Sequence, residues 1–347
     1  MSEQVVQRPL IAHGPMPRSG DESDITKVIE ERLVGVSRWA TEARAAVAAH
    51  AAHDHPILIE GEPGAGKEFV ARLIHECSAR RHGPFVAFSC ESLSERSIEA
   101  ALFGSIRELP SGGNRVQRGL VERARGGTLY ISGISTLSPL LKTEIARLIQ
   151  YQEFRRQGDG LLETADVRVI LGSTPTSPSS SGMSGALEGT ALTLRDVLII
   201  PPLRQRRADI EPLSRHFVKE VCQRLGKELR GIAPDTLAWL RRYDWPGNVG
   251  ELKAVIEDMV RRSRPPCLDP SLLPAHLLDP LKVNGSSLPA SGINLREELE
   301  RLEKSLLCAA LRQCQGRQTK AAELLGLKRT TLNTKLKRYG IKGTSFK

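Results

Sequence analysis

The chain lacks any paired-cysteine spacing. Its six cysteines (Cys77, Cys90, Cys222, Cys267, Cys308 and Cys314) form no CxxC, and no histidine cluster stands at zinc-ligand spacing. That excludes a zinc module and a disulfide scaffold, so free, mostly buried thiols in a reducing compartment are expected. No apolar run approaches the roughly 20 residues that span a bilayer, so no membrane partner is expected. Met1 to Gly20 is polar, contains Pro and Gly, and has no apolar h-region; it does not read as a signal peptide. A cytoplasmic protein follows. No internal repeat is visible, and no metal site is expected.

What is present is ordinary for a globular protein: 347 residues, 40% hydrophobic and 26% charged. At roughly 100–200 residues per domain this suggests two or three domains. The net charge of +10 is unevenly placed. From Gly316 to Lys347 there are nine Lys or Arg against one acid, Glu323, a local net charge of +8. A local cationic block points to a phosphate backbone rather than to general solubility.

Short apolar runs punctuate the first half. Pro56 to Ile59, Phe85 to Phe88, Thr128 to Ile131 and Val167 to Leu171 read as four buried strands separated by helical stretches. That alternation predicts an α/β fold with a parallel sheet. A Ser-, Pro- and Gly-rich loop runs from Ser173 to Gly185, and Asp209 to Arg262 is helical throughout. The expected division is a tail over 1–22, a nucleotide-binding core over 23–205, a helical lid over 206–283, a linker over 284–293 and a DNA-binding unit over 294–347.

After the first strand comes Gly61-Glu62-Pro63-Gly64-Ala65-Gly66-Lys67-Glu68. Two glycines five apart followed by Lys, between strand and helix, have the spacing of a phosphate-binding loop. Glycine lets the backbone wrap closely so that N–H groups and the helix N-terminus face phosphates, with Lys67 reaching the terminal ones. The alternative is a plain Gly-rich turn. Glu68 stands where Ser or Thr usually ligates Mg²⁺.

With these residues the chain resembles the sigma-54-dependent activators, bacterial enhancer-binding proteins of the AAA+ class. Phe85 to Cys90, Leu102-Phe103-Gly104, Gly126 to Leu129, Pro201 to Arg206 and Trp245 to Val249 are similar to family signatures, in family order. In that family an acidic residue after the loop Lys is normal. The resemblance implies a three-layer AAA+ P-loop core, a helical lid, an all-α helix-turn-helix, ATP as cofactor and a ring or other homo-oligomer. It also implies departures. Ser132-Gly133 replace the acidic Walker B pair that holds Mg²⁺ and polarises water, and loss of a positioned base costs about 10²–10⁴-fold. Glu108 to Gly113 replace the loop that touches sigma-54, Thr174 replaces the sensor Asn, and Gly250 replaces the lid Arg. Arg195 is the remaining arginine-finger candidate; such fingers can be worth about 10³–10⁵ in turnover. The expectation is ATP binding with Mg²⁺ weakly held, no assigned catalytic residue, poor hydrolysis and doubtful contact with sigma-54 RNA polymerase. The short N-terminal segment leaves no room for a receiver domain.

The C-terminal unit reads as a helix-turn-helix that resembles the Fis type of the same family. Leu295, Leu299, Leu302, Leu306 and Ala310 form a stripe, either core or a dimer seam. Ala321 and Ala322 allow close helix crossing, Gly326 suits the turn, and Leu325, Leu327, Leu332 and Leu336 form a buried set. Arg329 and Asn333 are candidate base contacts beside Thr330, Thr331 and Thr334, with Lys320, Lys328, Lys335, Lys337 and Arg338 toward the phosphates of double-stranded DNA. Arg204, Arg206, Arg207, Arg241, Arg242, Arg261 and Arg262 read as solvated helix faces and surface ion pairs, each worth little. The favoured function is a DNA-binding transcription regulator. Two alternatives stay open: an active ATPase that borrows a carboxylate such as Glu122 or Asp159, and an inactive subunit in a paralogous AAA+ ring.

Overall fold

The computed structural model describes residues 22–91, 93–108, 114–158, 161–174, 194, 196–263, 267–274, 277, 303, 307, 310–311, 314, 317–327 and 329–339. For 22–24, 107–108, 114–115, 323 and 337–338 only the backbone is described. The chain divides into two compact units, Met1–Leu273 and Pro274–Lys347.

The first unit opens with two helices, α1 (Glu22–Arg32) and α2 (Arg38–Ala51). The break is local chemistry. Ser37 caps α2, accepting Ala40 N–H at 3.2 Å, and its own N–H and hydroxyl donate to Asp209 at 2.7 Å each. A central sheet follows from β1 (Ile57–Gly61), β2 (Phe85–Ser89), β5 (Thr128–Ser132), β8 (Arg168–Ser173) and β9 (Asp196–Ile200). Its order is β2-β5-β8-β1-β9, every pair parallel. Four strands lie where the apolar runs predict them, within two residues at either end. β9 was not expected, although Val197 to Ile200 is itself an unbroken run of four apolar residues.

Strand alternation makes the layers. Leu58, Leu129, Ile131, Val169 and Leu171 face one way, onto α4 (Glu95–Phe103), α5 (Leu120–Arg123) and α6 (Pro139–Tyr151). Ile57, Ile59, Tyr130 and Ile170 face the other, onto α1, α2 and α3 (Lys67–Glu76). With side chains pointing alternately, a sheet so covered on both faces buries every position of its central strands, and all of β1 and β8 is buried, the polar Glu60, Arg168 and Ser173 included. Two antiparallel pairs stand outside the sheet: β3 (Ser105–Glu108) with β4 (Asn114–Gln117), and β6 (Glu153–Arg155) with β7 (Leu162–Thr164).

The helical continuation consists of α7 (Ile210–Leu225), α8 (Pro234–Arg242) and α9 (Asn248–Arg262). Trp245 is fully buried between α8 and α9 and donates its indole N–H to Leu240 O at 2.8 Å. Lys227 sits at the C-terminal end of α9, where Val260 O and Arg261 O accept from its ammonium at 2.8 and 2.7 Å; a cation there answers the unpaired carbonyls and the helix dipole.

In the second unit, α10 (Gln318–Leu324) and α11 (Arg329–Arg338) pack around Leu307, Ala310, Leu311, Ala321, Ala322, Leu332 and Leu336. Gly326 takes φ +63° between them. Leu325 and Leu327 are partly buried against the same core. Ala310 therefore belongs to this core; Leu295, Leu299, Leu302 and Leu306 lie outside the described residues.

Candidate nucleotide and DNA sites

The loop from Gly61 to Glu68 leaves the carboxyl end of β1 between β8 and β9, the edge where open α/β sheets bind ligands. Gly64 (φ +74°) and Gly66 (φ +106°) take left-handed turns. No side chain caps α3 at Gly66, so its first N–H groups face the loop's concavity. Lys67 folds back over the loop. Its ammonium donates to Gly61 O at 2.5 Å and Glu62 O at 3.1 Å, with Thr174 Oγ1 at 3.5 Å. Burial lowers its pKa, opposed by the negative charges of Glu91 and Glu62. Glu68 is exposed and faces Arg72 at 3.4 Å.

The lid grips this loop. Gly250 N–H donates to Gly64 O at 3.1 Å. Asn248, fully buried at φ +53°, donates to Pro63 O at 3.0 Å and Glu62 Oε2 at 3.1 Å while its own Oδ1 accepts from Leu203 N–H at 2.8 Å. Arg204 forms a two-pronged pair with Glu62 at 2.6 and 2.8 Å, which draws the Glu62 carboxyl below its usual range. Arg206 is buried, donates to Ala65 O at 2.9 Å and lies 4.2 Å over the Trp39 ring. Desolvation pulls its pKa to about 10.

These contacts correct the reading of Arg206 as a solvated side chain, and Arg204 joins it at the loop; Arg241, Arg242, Arg261 and Arg262 are exposed on α8 and α9, in line with the expectation. Arg204 lies in a single 3₁₀ turn, Leu203–Gln205, just after β9, Arg206 ends it, and both hold the phosphate loop. Arg207 joins Asp244 and the carbonyls of Arg241 and Arg242. The missed signal is position: a cationic turn right after the strand that neighbours β1 must pass the loop.

One strand away from the loop, across β8, β5 ends without an acid. Ser132 reaches Phe88 O at 3.5 Å, and Gly133 takes φ +76°. Of the substitute carboxylates, Glu122 is committed elsewhere: it accepts from Arg156 at 2.9 and 3.0 Å and from Gly119 N–H at 3.1 Å. Asp159, Arg195 and Leu109 to Gly113 lie outside the described residues.

On the second unit Lys320, Arg329, Thr330, Thr331 and Thr334 are exposed, and Asn333 is half-buried. Thr334 bonds back to Thr330 O at 3.0 Å. Lys335, expected at the phosphates, is half-buried and ion-paired to Glu303, which also accepts from Tyr339 at 2.5 Å. Its charge is engaged inside the unit because α11 turns it toward the preceding helical segment. Lys328 and the side chains of Lys337 and Arg338 lie outside the described residues.

Residues 33–184 match the sigma-54 interaction domain, 204–287 the AAA+ ATPase lid domain and 298–339 the Fis family of bacterial regulatory proteins. The chain is 33% identical over 311 residues to transcriptional regulatory protein ZraR of Escherichia coli K12, covering 88% of this chain and 68% of that one. It is 34% identical to regulatory protein AtoC of the same organism, covering 82% and 62%. The chain belongs to the sigma-54-dependent enhancer-binding regulators. It spans about two thirds of the length of these curated relatives. Among solved structures, NtrX from Brucella abortus in complex with ADP superposes with a TM-score of 0.63 at 29% identity, covering 92% of this chain and 73% of that one. The same protein in complex with ATP gives 0.62.

Within this family the chain has the AAA+ α/β core, the lid and the C-terminal helix-turn-helix. No helix among the described residues is long and apolar enough to cross a membrane.

Proposed function

We propose that the protein is a cytoplasmic, sequence-specific DNA-binding transcription regulator that binds ATP through Gly61–Glu68 and hydrolyses it poorly. The observation that carries this reading is the contrast at one sheet edge. Lys67 is poised over a complete phosphate loop, while the carboxyl end of β5, one strand removed across β8, offers Ser132 and Gly133 in place of acids. Phosphoryl transfer is mostly positioning and charge stabilisation; a loop without a water-polarising carboxylate retains binding and loses turnover. The ADP and ATP complexes of the NtrX neighbour support nucleotide binding at this fold. Arg329, Asn333 and the exposed threonines of α11 read the major groove, Lys320 anchors a phosphate, and the functional unit is a homodimer or larger homo-oligomer.

The reading is tested by measuring ATP affinity and turnover of the purified protein, with and without DNA, beside Lys67→Ala. Binding that depends on Lys67 without turnover is the expected result. Robust turnover abolished by Lys67→Ala would overturn the hydrolysis half of the reading and favour an active sigma-54 ATPase.

A further inference from the structure

β2 and β5 are register neighbours, with Ser89 opposite Ser132, and Cys90 N–H donates to Ser132 O at 3.0 Å. The residue that follows, Glu91, is thus delivered to the carboxyl edge of the sheet beside Gly133. The contact is close. A Cβ built on Gly133 would lie 3.0 Å from Glu91 Cγ and 3.4 Å from Glu91 N. Gly133 also holds φ +76°, a backbone that a side-chain-bearing residue adopts only with strain. The Glu91 side chain therefore runs through the space where a side chain from position 133 would start. An acid at 133 would crowd the present Glu91 side chain, which would have to shift to admit it.

We propose that Glu91 supplies, from the neighbouring strand, the carboxylate for the Mg²⁺ that accompanies nucleotide. This inference rests on the ATP-binding reading above. Magnesium demands octahedral oxygen ligation, keeps several waters, and is commonly held by one or two carboxylates plus substrate phosphates. Among the described residues no cluster of three His, Cys, Asp or Glu could hold a metal alone, and a single carboxylate at the carboxyl edge of the sheet suits a cation that arrives on its ligand. The negative charge of Glu91 is also felt at Lys67, where it opposes the effect of burial. Glu91 is exposed, so it can turn toward an incoming cation without disrupting the core. Holding the cation and polarising water are two tasks for two acids in this family; a single relocated carboxylate performs the first and leaves the second unfilled.

The test is calorimetric titration of the full-length protein with ATP, in MgCl₂ and in EDTA, for the wild type, Glu91→Gln and Glu68→Gln. The wild type should bind ATP at least tenfold tighter with Mg²⁺. Glu91→Gln should lose most of that increment while binding metal-free ATP no more weakly than the wild type. An equal Mg²⁺ increment in the wild type and Glu91→Gln overturns the inference and leaves ATP binding standing. So does an increment lost in Glu68→Gln alone, which puts the carboxylate on the phosphate loop, or a wild type indifferent to Mg²⁺. A wild type that binds no ATP in either buffer overturns the nucleotide reading itself.

Discussion

The backbone N–H of Gly250, on the first turn of the lid helix α9, donates to the carbonyl of Gly64 in the phosphate loop at 3.1 Å. A position expected to carry a lid arginine thus brings backbone against backbone. The two glycines are not equivalent. A Cβ on Gly64 would sit 2.2 Å from Gly247 O, at φ +74°. On Gly250 it would meet only ordinary contact, 3.5 Å from Gly64 Cα. Gly64→Ala should destabilise the first unit by about 2–4 kcal/mol through backbone strain and overpacking. Gly250→Arg should stay within about 1 kcal/mol, since it replaces a glycine in the first turn of α9 with a better helix former. Urea denaturation of the two variants distinguishes them.

Asn248 links three segments and is wholly buried. Replacing it with Ala leaves the Leu203 N–H without its acceptor and places a side chain less suited to φ +53°. A buried donor left unsatisfied costs about 1–3 kcal/mol. Asn248→Ala should lower stability by at least about 2 kcal/mol, read as a shifted denaturation midpoint. If nucleotide occupies the loop, affinity should fall too, since Pro63 and Glu62 lose their lid contact.

His75 is buried against Thr128, its Nδ1 2.9 Å from the hydroxyl. Desolvation holds its pKa down to about 4. Its folded value lies below its unfolded value, so the unfolded chain binds the proton first. Stability from the neutral ring is complete above about pH 6.5 and declines as pH falls toward 4, by roughly 1.4 kcal/mol per unit at most. Denaturation at pH 7 and pH 5 should show wild type losing about 2 kcal/mol more than His75→Gln over that interval. Equal losses would place the pH sensitivity elsewhere.

On α11, Arg329→Ala should cost about 1–3 kcal/mol on the preferred DNA site and relax selection at one base. Lys320→Ala should weaken all sequences alike and reduce the salt slope by about one. Lys335→Ala should act through folding of the helix-turn-helix, because its charge is paired with Glu303. Binding titrations at two salt concentrations, with specific and scrambled duplexes, separate the three.

Much of this fold is legible in the chain because it is local. Runs such as Ile57 to Ile59 and Val169 to Leu171 announce buried strands, and the turn between α10 and α11 needs the glycine found at 326. The phosphate loop follows from glycine spacing between strand and helix. The Ser132-Gly133 departure is visible too, because it is a matter of residue identity at a known position.

Other features depend on partners far apart in sequence. Asn248 and Glu62 are separated by 186 positions, and Arg206 and Ala65 by 141. No periodicity marks them, so the arginines after β9 read as solvent-facing until the sheet order sets that strand beside β1. Glu91 carries no motif; only the pairing of β2 with β5 brings it against Gly133. The sequence by itself determined which elements form and which chemical groups each carries, since backbone propensity and apolar alternation act over a few residues. The tertiary structure decided which of those groups meet, because strand order and lid closure join segments whose separation along the chain contains no record of their contact.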